Sequence, residues 1–351
     1  MKLVSVILPL YRSEKYVVET IHSVLAQTHS RLELLVVDDG SPDGSAALCE
    51  RVGDPRIQVF RRPNRGSCRA RNFGISRARG DFIAFIDHDD LWLPEKLERH
   101  VAHLERSPQV GISYGPSAFI DEQGRRMGLY QVPKLHDVDA RDILCRNPIG
   151  NGSAPLIRRE VFEAIRFTAD RGDGPEDFYF DDQCMGWEDV ECWFRMSVTT
   201  PWRLEGIPDC LTLYRVNPEG LSANVEKKQV SMERGLERAR RYAPEVVARH
   251  EGAARAYHLR YLARRLVLNG DARGAVRLAH RAIACHPGIL VEEPRRTLVT
   301  LAAAYAMRVL PGGAFRRLES LAMARLGRSQ ARAVDEAAHD GAPASSPPSA
   351  P

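Results

Sequence analysis

The sequence lacks the patterns that mark several common kinds of site. Its seven cysteines are an odd number, widely scattered, and no two of them form a C-x-x-C pair. This argues against a zinc site or a disulfide framework and indicates a reducing compartment. There is no Gly-x-Gly-x-x-Gly fingerprint and no Walker lysine loop, so dinucleotide redox and ATPase activities are weak hypotheses. No segment recurs at a fixed period, which argues against a repeat array.

Long hydrophobic runs are also missing. The longest in the second half, 298–310, contains Thr300 and Arg308 and is too short to span a bilayer. The N-terminus runs directly into a strand-like segment without the regions of a signal peptide, so we expect a cytoplasmic protein. Charge is present but unevenly spread. Residues 226–328 hold 21 Lys and Arg against 9 Asp and Glu, a local charge of +12, so the remainder carries −8 of the net +4.

Strand-like and helix-like segments alternate through the first part of the chain. Leu3–Pro9 and Leu32–Val37 are apolar runs typical of buried strands, and Glu14–Gln27 between them has apolar residues at helical spacing. The same alternation continues with helices at 46–51 and 69–78 and strands at 57–60 and 82–86. It predicts an α/β fold with a doubly wound, mostly parallel sheet whose strands end at one common edge.

Carboxylates follow two of these strands. Asp38 and Asp39 follow the second strand, and Asp87, Asp89 and Asp90 follow the run 82–86. Charges of this kind are costly in an interior unless a cation, a donor or solvent meets them. Hard oxygen ligands at this spacing suit Mg²⁺ or Mn²⁺ carrying substrate phosphates. The alternative is a solvated acidic turn before the next helix, and the segment alone does not decide between the two.

From about Glu226 the composition changes to Ala, Arg and Leu with helical periodicity. We therefore divide the chain into an α/β domain (1–225), an α-helical extension (226–328) and a tail (329–351) that is predicted to be disordered. The basic extension has three interpretations. It is by default the solvated face of packed helices, a second hypothesis is contact with an anionic membrane surface, and the third is nucleic-acid binding. No aromatic-interleaved platform supports the third, so we expect no nucleic-acid partner.

Five motifs occur in the order found in one known family. They are Val4–Tyr11, Ser23–Thr28, Val36–Ser45, Asn64–Ile75 and Asp87–Asp90. Over residues 1 to about 225 the sequence resembles family 2 glycosyltransferases of the GT-A fold. The resemblance implies inverting, metal-dependent transfer of a sugar from a nucleotide-diphosphate donor to a hydroxyl of a glycan or lipid-linked acceptor, with Mg²⁺ or Mn²⁺ as the cation.

The resemblance also implies roles for single residues. The nucleotide-sugar side would be formed by Pro9, Leu10, Tyr11, Asp39, Arg71, Asp87 and His88. Asp89 would be the metal ligand, and the acceptor-side acidic pair falls on Glu188 and Asp189, with Asp189 as the general base. Each has an ordinary structural alternative. Asp39 would then cap a turn, Arg71 would pair with a carboxylate, and Glu188-Asp189 would be a charged helix start.

Two positions depart from the family pattern. Arg12 stands where an asparagine is usual, and Asn217 stands where a histidine is expected, which weakens a metal or phosphate contact there. Two rival functions remain. A nucleotidyltransferase would use the same strand-end aspartates, but Pro9 to Arg12 form a poor phosphate cradle. A non-catalytic nucleotide-sugar-binding protein would not need both Asp89 and Asp189.

Overall fold

The strands of the protein are short, and most of them belong to one sheet. The computed structural model describes residues 1–172, 174–217 and 225–340. In chain order its strands are β1 (Val4–Leu10), β2 (Leu32–Asp38), β3 (Ile57–Arg61), β4 (Phe82–Phe85), β5 (Leu91–Trp92), β6 (Val110–Tyr114), β7 (Ser117–Ile120), β8 (Arg126–Gln131), β9 (Leu156–Arg158), β10 (Phe167–Asp170), β11 (Pro175–Phe178), β12 (Arg203–Gly206) and β13 (Thr212–Arg215).

The main sheet has seven strands in the order β12-β6-β9-β4-β1-β2-β3. The pairs β1–β2, β1–β4, β2–β3 and β6–β12 are parallel, whereas β9 runs antiparallel to both of its neighbours. The prediction of a mostly parallel sheet is therefore confirmed. A second sheet, in the order β5-β13-β7-β8, stands beside the ends of the main strands, and β10 and β11 form a hairpin.

Helices cover both faces of the main sheet and continue beyond it. They are α1 (Val17–Leu25), α2 (Ser45–Arg51), α3 (Ser67–Arg77), α4 (Lys96–Arg106), α5 (Ala140–Arg146), α6 (Arg159–Ile165), α7 (Glu188–Thr199), α8 (Val225–Arg240), α9 (Pro244–Leu268), α10 (Ala272–Cys285), α11 (Ile289–Glu292), α12 (Pro294–Val309) and α13 (Gly312–Asp340). A 3₁₀ turn spans Asp182–Cys184. No helix within the described ranges is both long and apolar enough to cross a membrane.

The apolar strands predicted from the sequence are buried because the sheet is covered on both faces. Side chains of β1 alternate between two cores, with Val6 and Leu8 on one face and Ile7 on the other. The Ile7 core also contains Phe85, Trp193 and, from the C-terminal helices, residues such as Met232, Leu236 and Ala239. The α-helical region therefore shares a hydrophobic core with the α/β region, although the sequence divides them near residue 225.

The structure differs from the sequence pattern in three places. Residues 110–120 form one strand-like run but make two strands, β6 in the main sheet and β7 in the second sheet. The helical pattern around residue 257 falls inside the long helix α9. The boundary expected at 328 falls inside α13, so residues 329–340 are helical rather than part of a disordered tail. The rest of that tail, 341–351, lies outside the described residues.

Candidate functional site

The carboxyl ends of β1, β2 and β4 lie side by side at one edge of the main sheet. Leu10 pairs with Asp38 across β1 and β2, and Ile7 pairs with Phe85 across β1 and β4. The acidic segments that follow β2 and β4 are therefore brought to the same edge, as the alternation of strands and helices predicts.

Arg71 joins this edge to the start of α7. Its helix, α3, packs tightly on β1, since a Cβ at Gly74 would lie 2.4 Å from Cγ2 of Ile7. The buried Arg71 guanidinium donates from Nη2 to Asp87 Oδ1 at 3.0 Å and from Nη1 to Glu188 Oε1 at 3.2 Å. Nη1 also lies 3.9 Å from Asp189 Oδ1. Two acidic segments that are 100 residues apart in sequence thus meet at one cation.

Glu188 and Asp189 have different surroundings although they are adjacent. The Glu188 carboxylate is held by Arg71 and by the backbone N–H of Gly186, so its side chain is only 11% exposed. The Asp189 side chain is 26% exposed, and within the described residues its only ion-pair contact is the longer one with Arg71. Burial and then the charge of Glu188 raise the pKa of Asp189 to about 7, against the opposing effect of Arg71. Asp189 is therefore a carboxylate able to take a proton near neutral pH.

Asp90 is a structural residue in this arrangement. It is fully buried, and its carboxylate accepts from Ser153 Oγ at 2.5 Å and from the backbone N–H of Arg215 at 2.9 Å. Ser153 Oγ in turn accepts from the backbone N–H of Asp87 at 2.9 Å. Arg215 donates from Nε to the carbonyl of Asp89 at 2.8 Å. These bonds fix the backbone on which Asp87 and Asp89 stand.

The sequence did not identify Ser153 as part of the site. No motif marks a lone serine at this position, and no pattern in the sequence gives Arg215 a role. The structure shows that both residues hold the acidic segment in place.

A comparison with known protein families agrees with this geometry. Residues 5–166 match the model described as glycosyl transferase family 2. The chain carries a family 2 glycosyltransferase domain. An uncharacterized glycosyltransferase of Haemophilus influenzae is 34% identical over 170 residues, which are 48% of this chain and 66% of that protein. The part of this chain that matches covers between 18% and 66% of the length of its similar curated relatives.

Two solved structures resemble the whole fold. Staphylococcus aureus TarS 1–349 in complex with UDP-GlcNAc has a TM-score of 0.55 at 18% identity, over 88% of this chain and 92% of that one. The mannosyltransferase PcManGT from Pyrobaculum calidifontis in complex with GDP-Man and Mn²⁺ has a TM-score of 0.53 at 22% identity, over 87% and 86% of the two chains. The predicted GT-A fold is thereby confirmed.

The acidic segment of the family 2 domain fits a divalent cation only in part. Among the described residues, no group of three or more His, Cys, Asp or Glu side chains could hold a metal ion. Mg²⁺ and Mn²⁺, however, commonly use one or two protein carboxylates and take other ligands from phosphates and water. Asp89 suits that use, because no described side chain donates a hydrogen bond to its carboxylate. The half-buried His88 beside it has a buried Nδ1 without a partner among the described residues.

The expected nucleotide side of the family 2 domain is less open than the motifs suggest. Leu10 is 1% exposed and packs in the core, so it offers only its backbone to the edge, whereas Tyr11 is 40% exposed. Asp39 accepts from the backbone N–H groups of Arg65 and Gly66, both at 2.8 Å, and so holds the loop before α3. Asp38 accepts from the backbone N–H of Ser41 at 3.0 Å, as in an ordinary turn.

Arg12 and Asn217, the two departures from the family pattern, lie in differently described parts of the structure. Arg12 has a positive φ of 51° and lies over the ring of Tyr11, with 5.4 Å between the guanidinium carbon and the ring centroid. This places a cation beside the one exposed aromatic residue of the first motif. Asn217 ends a described range, and Pro218 after it lies outside the described residues.

Proposed function

We propose that the protein is an inverting glycosyltransferase that moves a sugar from a nucleotide-diphosphate donor to an acceptor hydroxyl. The observation that supports this most is Asp189. Its side chain is partly exposed, as is that of Asp87 in the same Arg71 cluster, burial and Glu188 raise its pKa to about 7, and it stands next to the edge where the β1, β2 and β4 motifs converge.

The reaction follows from these positions. The acceptor oxygen attacks the anomeric carbon, its proton passes to a carboxylate oxygen of Asp189, and the bond from the anomeric carbon to the diphosphate breaks. One carboxylate as base and no enzyme nucleophile correspond to a single displacement, and hence to inversion. Arg71 and Glu188 hold Asp189 in place. Asp89 would hold a Mg²⁺ or Mn²⁺, which when bound neutralises charge on the leaving diphosphate.

The donor side is proposed from the strand edge and from the structural neighbours. Tyr11, Asp39, Asp87 and His88 surround the place where the nucleotide would lie, with Pro9 and Leu10 forming its floor through the backbone. Because the neighbours are described with UDP-GlcNAc and with GDP-Man, the first test is a thermal-shift screen of UDP- and GDP-sugars with and without Mn²⁺. We expect one donor to raise the melting temperature only with the cation, and no rise with any donor would contradict the proposal.

Product analysis distinguishes sugar transfer from the two alternative functions, nucleotidyl transfer and non-catalytic binding. With the donor from that screen, we expect release of the nucleoside diphosphate and a new glycoside of inverted anomeric configuration. Pyrophosphate release from UTP or GTP would favour a nucleotidyltransferase instead. Donor binding by calorimetry without turnover on a broad panel of glycan and lipid-linked acceptors would favour a non-catalytic sugar-nucleotide-binding protein.

We further propose that the acceptor is presented at a membrane surface inside the cytoplasm. α12 exposes Leu298, Val299 and Val309, whose exposed fractions are 54%, 64% and 77%, and Arg295 and Arg308 lie exposed on the same helix. A helix that combines exposed apolar residues with arginines suits the interface of an anionic bilayer.

Vesicle flotation tests this surface. We expect the protein to float with vesicles that contain phosphatidylglycerol and not with pure phosphatidylcholine, and Val299→Glu to abolish the binding. Met127→Glu, at an exposed apolar residue of β8, is the matched control. Equal behaviour of both variants, or no flotation, would remove the membrane proposal without affecting the proposed chemistry.

A further inference from the structure

One face of α8 packs on the segment that leads into Glu188 and Asp189. Ser231 Oγ lies 2.5 Å from the carbonyl oxygen of Met185 and 2.8 Å from that of Lys227, one turn earlier on α8, and its single hydrogen can be donated to either. One turn later, Gly235 lies against the ring of Trp187, since a Cβ there would be 2.0 Å from Cε3. One further turn on, Arg238 Nε forms an ion pair at 2.8 Å with Asp181 Oδ2, whose side chain is 0% exposed. The three residues follow helical spacing and so form one stripe of α8.

These contacts hold the beginning and the end of the same short segment. Asp181 is anchored at its start, and Met185 and Trp187 directly precede and follow Gly186. The N–H of Gly186 holds the Glu188 carboxylate, and Gly186 has a φ of +93° that favours glycine. A shift of α8 would therefore move the backbone that carries the acidic pair.

The packing beneath this stripe is that of a protein interior. Met232, Leu236 and Ala239 of α8 belong to the same hydrophobic core as Trp187, Trp193 and Phe180. Gly235 permits the close approach, because any side chain at that position would occupy the place of the Trp187 ring. α8 is thus attached to this part of the α/β region through apolar, hydrogen-bonded and ionic contacts together.

Lys228 stands one turn before Ser231 on the same helix. Its positive charge opposes the rise in the pKa of Asp189, so it favours the ionised carboxylate. α8 therefore influences Asp189 electrostatically as well as through the backbone.

We propose that α8 is a positioning element of the active site, with Ser231 and Gly235 as positioning residues that set the place of Asp189. The inference rests on the proposed function in treating Asp189 as the base. It assigns a positioning part to the C-terminal helical region, which, like Glu188 and Asp189, lies beyond residues 5–166 that match the family model. Neither Ser231 nor Gly235 touches a reacting atom in this scheme.

The first test is Gly235→Ala in the full chain, with Gly313→Ala as the control. Both substitutions are Gly to Ala in a helix, and a Cβ at Gly313 would meet nothing within 4 Å. We expect kcat of Gly235→Ala to fall about tenfold or more, with the donor KM changed less than about twofold, because only the base is displaced. The pH dependence of kcat should also shift, which a mere loss of folded protein would not produce. Unchanged kcat and pH dependence in a folded Gly235→Ala protein would overturn the proposal.

The second test avoids failure to fold and does not require turnover. Ser231→Ala removes one hydrogen bond, and hydrogen exchange then reports on the backbone amides from Met185 to Asp189. We expect faster exchange in this segment for both Ser231→Ala and Gly235→Ala, and no change for Gly313→Ala. Exchange equal to wild type in both variants would show that α8 does not position the segment. If the wild type transfers no sugar but the exchange changes as expected, the proposed function fails while the positioning role stands.

Discussion

The replacement Asp189→Asn tests the central residue of the proposed mechanism. Asparagine has nearly the same shape but cannot accept the proton of the acceptor hydroxyl. Since positioned general bases contribute about 10²- to 10⁴-fold in rate, we expect kcat to fall by that factor. Donor affinity should change little, because the proposed donor site is at the strand edge. The assay is nucleoside diphosphate release under saturating donor, with Asp177→Asn, at an exposed residue of β11, as the control.

The wild-type pH profile gives a second measure of the same residue. The base must be ionised, and the pKa of Asp189 is raised to about 7 by burial and by Glu188. We therefore expect kcat to fall as pH decreases through 7, to about one tenth of its maximum near pH 6, and to level off above pH 8. This decrease of kcat at low pH should be absent from the residual activity of Asp189→Asn.

The stability of the protein should decrease as pH rises, whereas kcat should increase. The folded state holds the Asp189 proton up to about pH 7, whereas the unfolded chain loses it near 3.8, so this group lowers stability as pH rises between these values. At about 1.4 kcal/mol for each pKa unit, the cost above pH 7 is of the order of 4 kcal/mol. Asp189→Asn should thus melt at a higher temperature than wild type at pH 8 and at a similar temperature at pH 4. A variant with normal kcat, or one less stable at pH 8, would refute the assignment of Asp189 as a raised-pKa base.

Three further predictions concern the residues around Asp189. Arg71→Gln removes the cation from three carboxylates, so we expect a loss of about 3–5 kcal/mol in stability. The decrease of kcat at low pH should also begin at a higher pH. Arg77→Gln, at the end of the same helix, is the control, and an unchanged pH dependence of kcat in Arg71→Gln would contradict the proposed influence of Arg71 on Asp189. Asp89→Asn should abolish the Mn²⁺-dependent thermal shift with donor, and wild-type turnover in excess EDTA would refute the metal hypothesis altogether. Ser153→Ala leaves the Asp87 N–H and the Asp90 carboxylate each without one partner, so we expect about 1–3 kcal/mol of destabilisation in urea unfolding, and a loss below about 0.5 kcal/mol would show that water replaces the hydroxyl.

The buried strands of the first part of the chain and their mostly parallel arrangement could be predicted from the sequence. Val4–Leu10 and Leu32–Asp38 are apolar throughout because both faces of a parallel strand are covered, and such runs are visible without a structure. Strands that pair at an edge or in a small sheet carry no such signal. β8, for example, has the sequence Arg126–Gln131 with largely exposed side chains, and nothing in its pattern distinguishes it from a loop.

Part of the candidate site could likewise be predicted from the sequence, and part could not. Carboxylates directly after buried strands, such as Asp87 and Asp89, can be predicted because the strand fixes where they emerge. The pairing of Arg71 with Glu188 could not be predicted beyond a general alternative, because it depends on the packing of α3 against α7 across 117 residues of sequence. Likewise, the sequence predicts Asp39 on the nucleotide side, and only the structure shows that both its oxygens hold the loop at Arg65 and Gly66. Its role in nucleotide binding stays a prediction.

The imbalance of charge around Arg71 has a consequence for the order of events at the site. The chain as a whole carries +4, yet in the part that the structure describes five carboxylates (Asp87, Asp89, Asp90, Glu188 and Asp189) lie near two buried guanidiniums, those of Arg71 and Arg215, and burial raises the pKa of Asp89, Asp90 and Asp189. A nucleotide diphosphate that arrives without a counter-ion meets like charge in a region where solvent screens poorly. A nucleotide that arrives already complexed with a cation does not. If the proposed donor site is correct, the acidic edge favours the ion-paired form of the nucleotide at the stage of encounter, and we expect free nucleotide to inhibit weakly until a divalent ion is added.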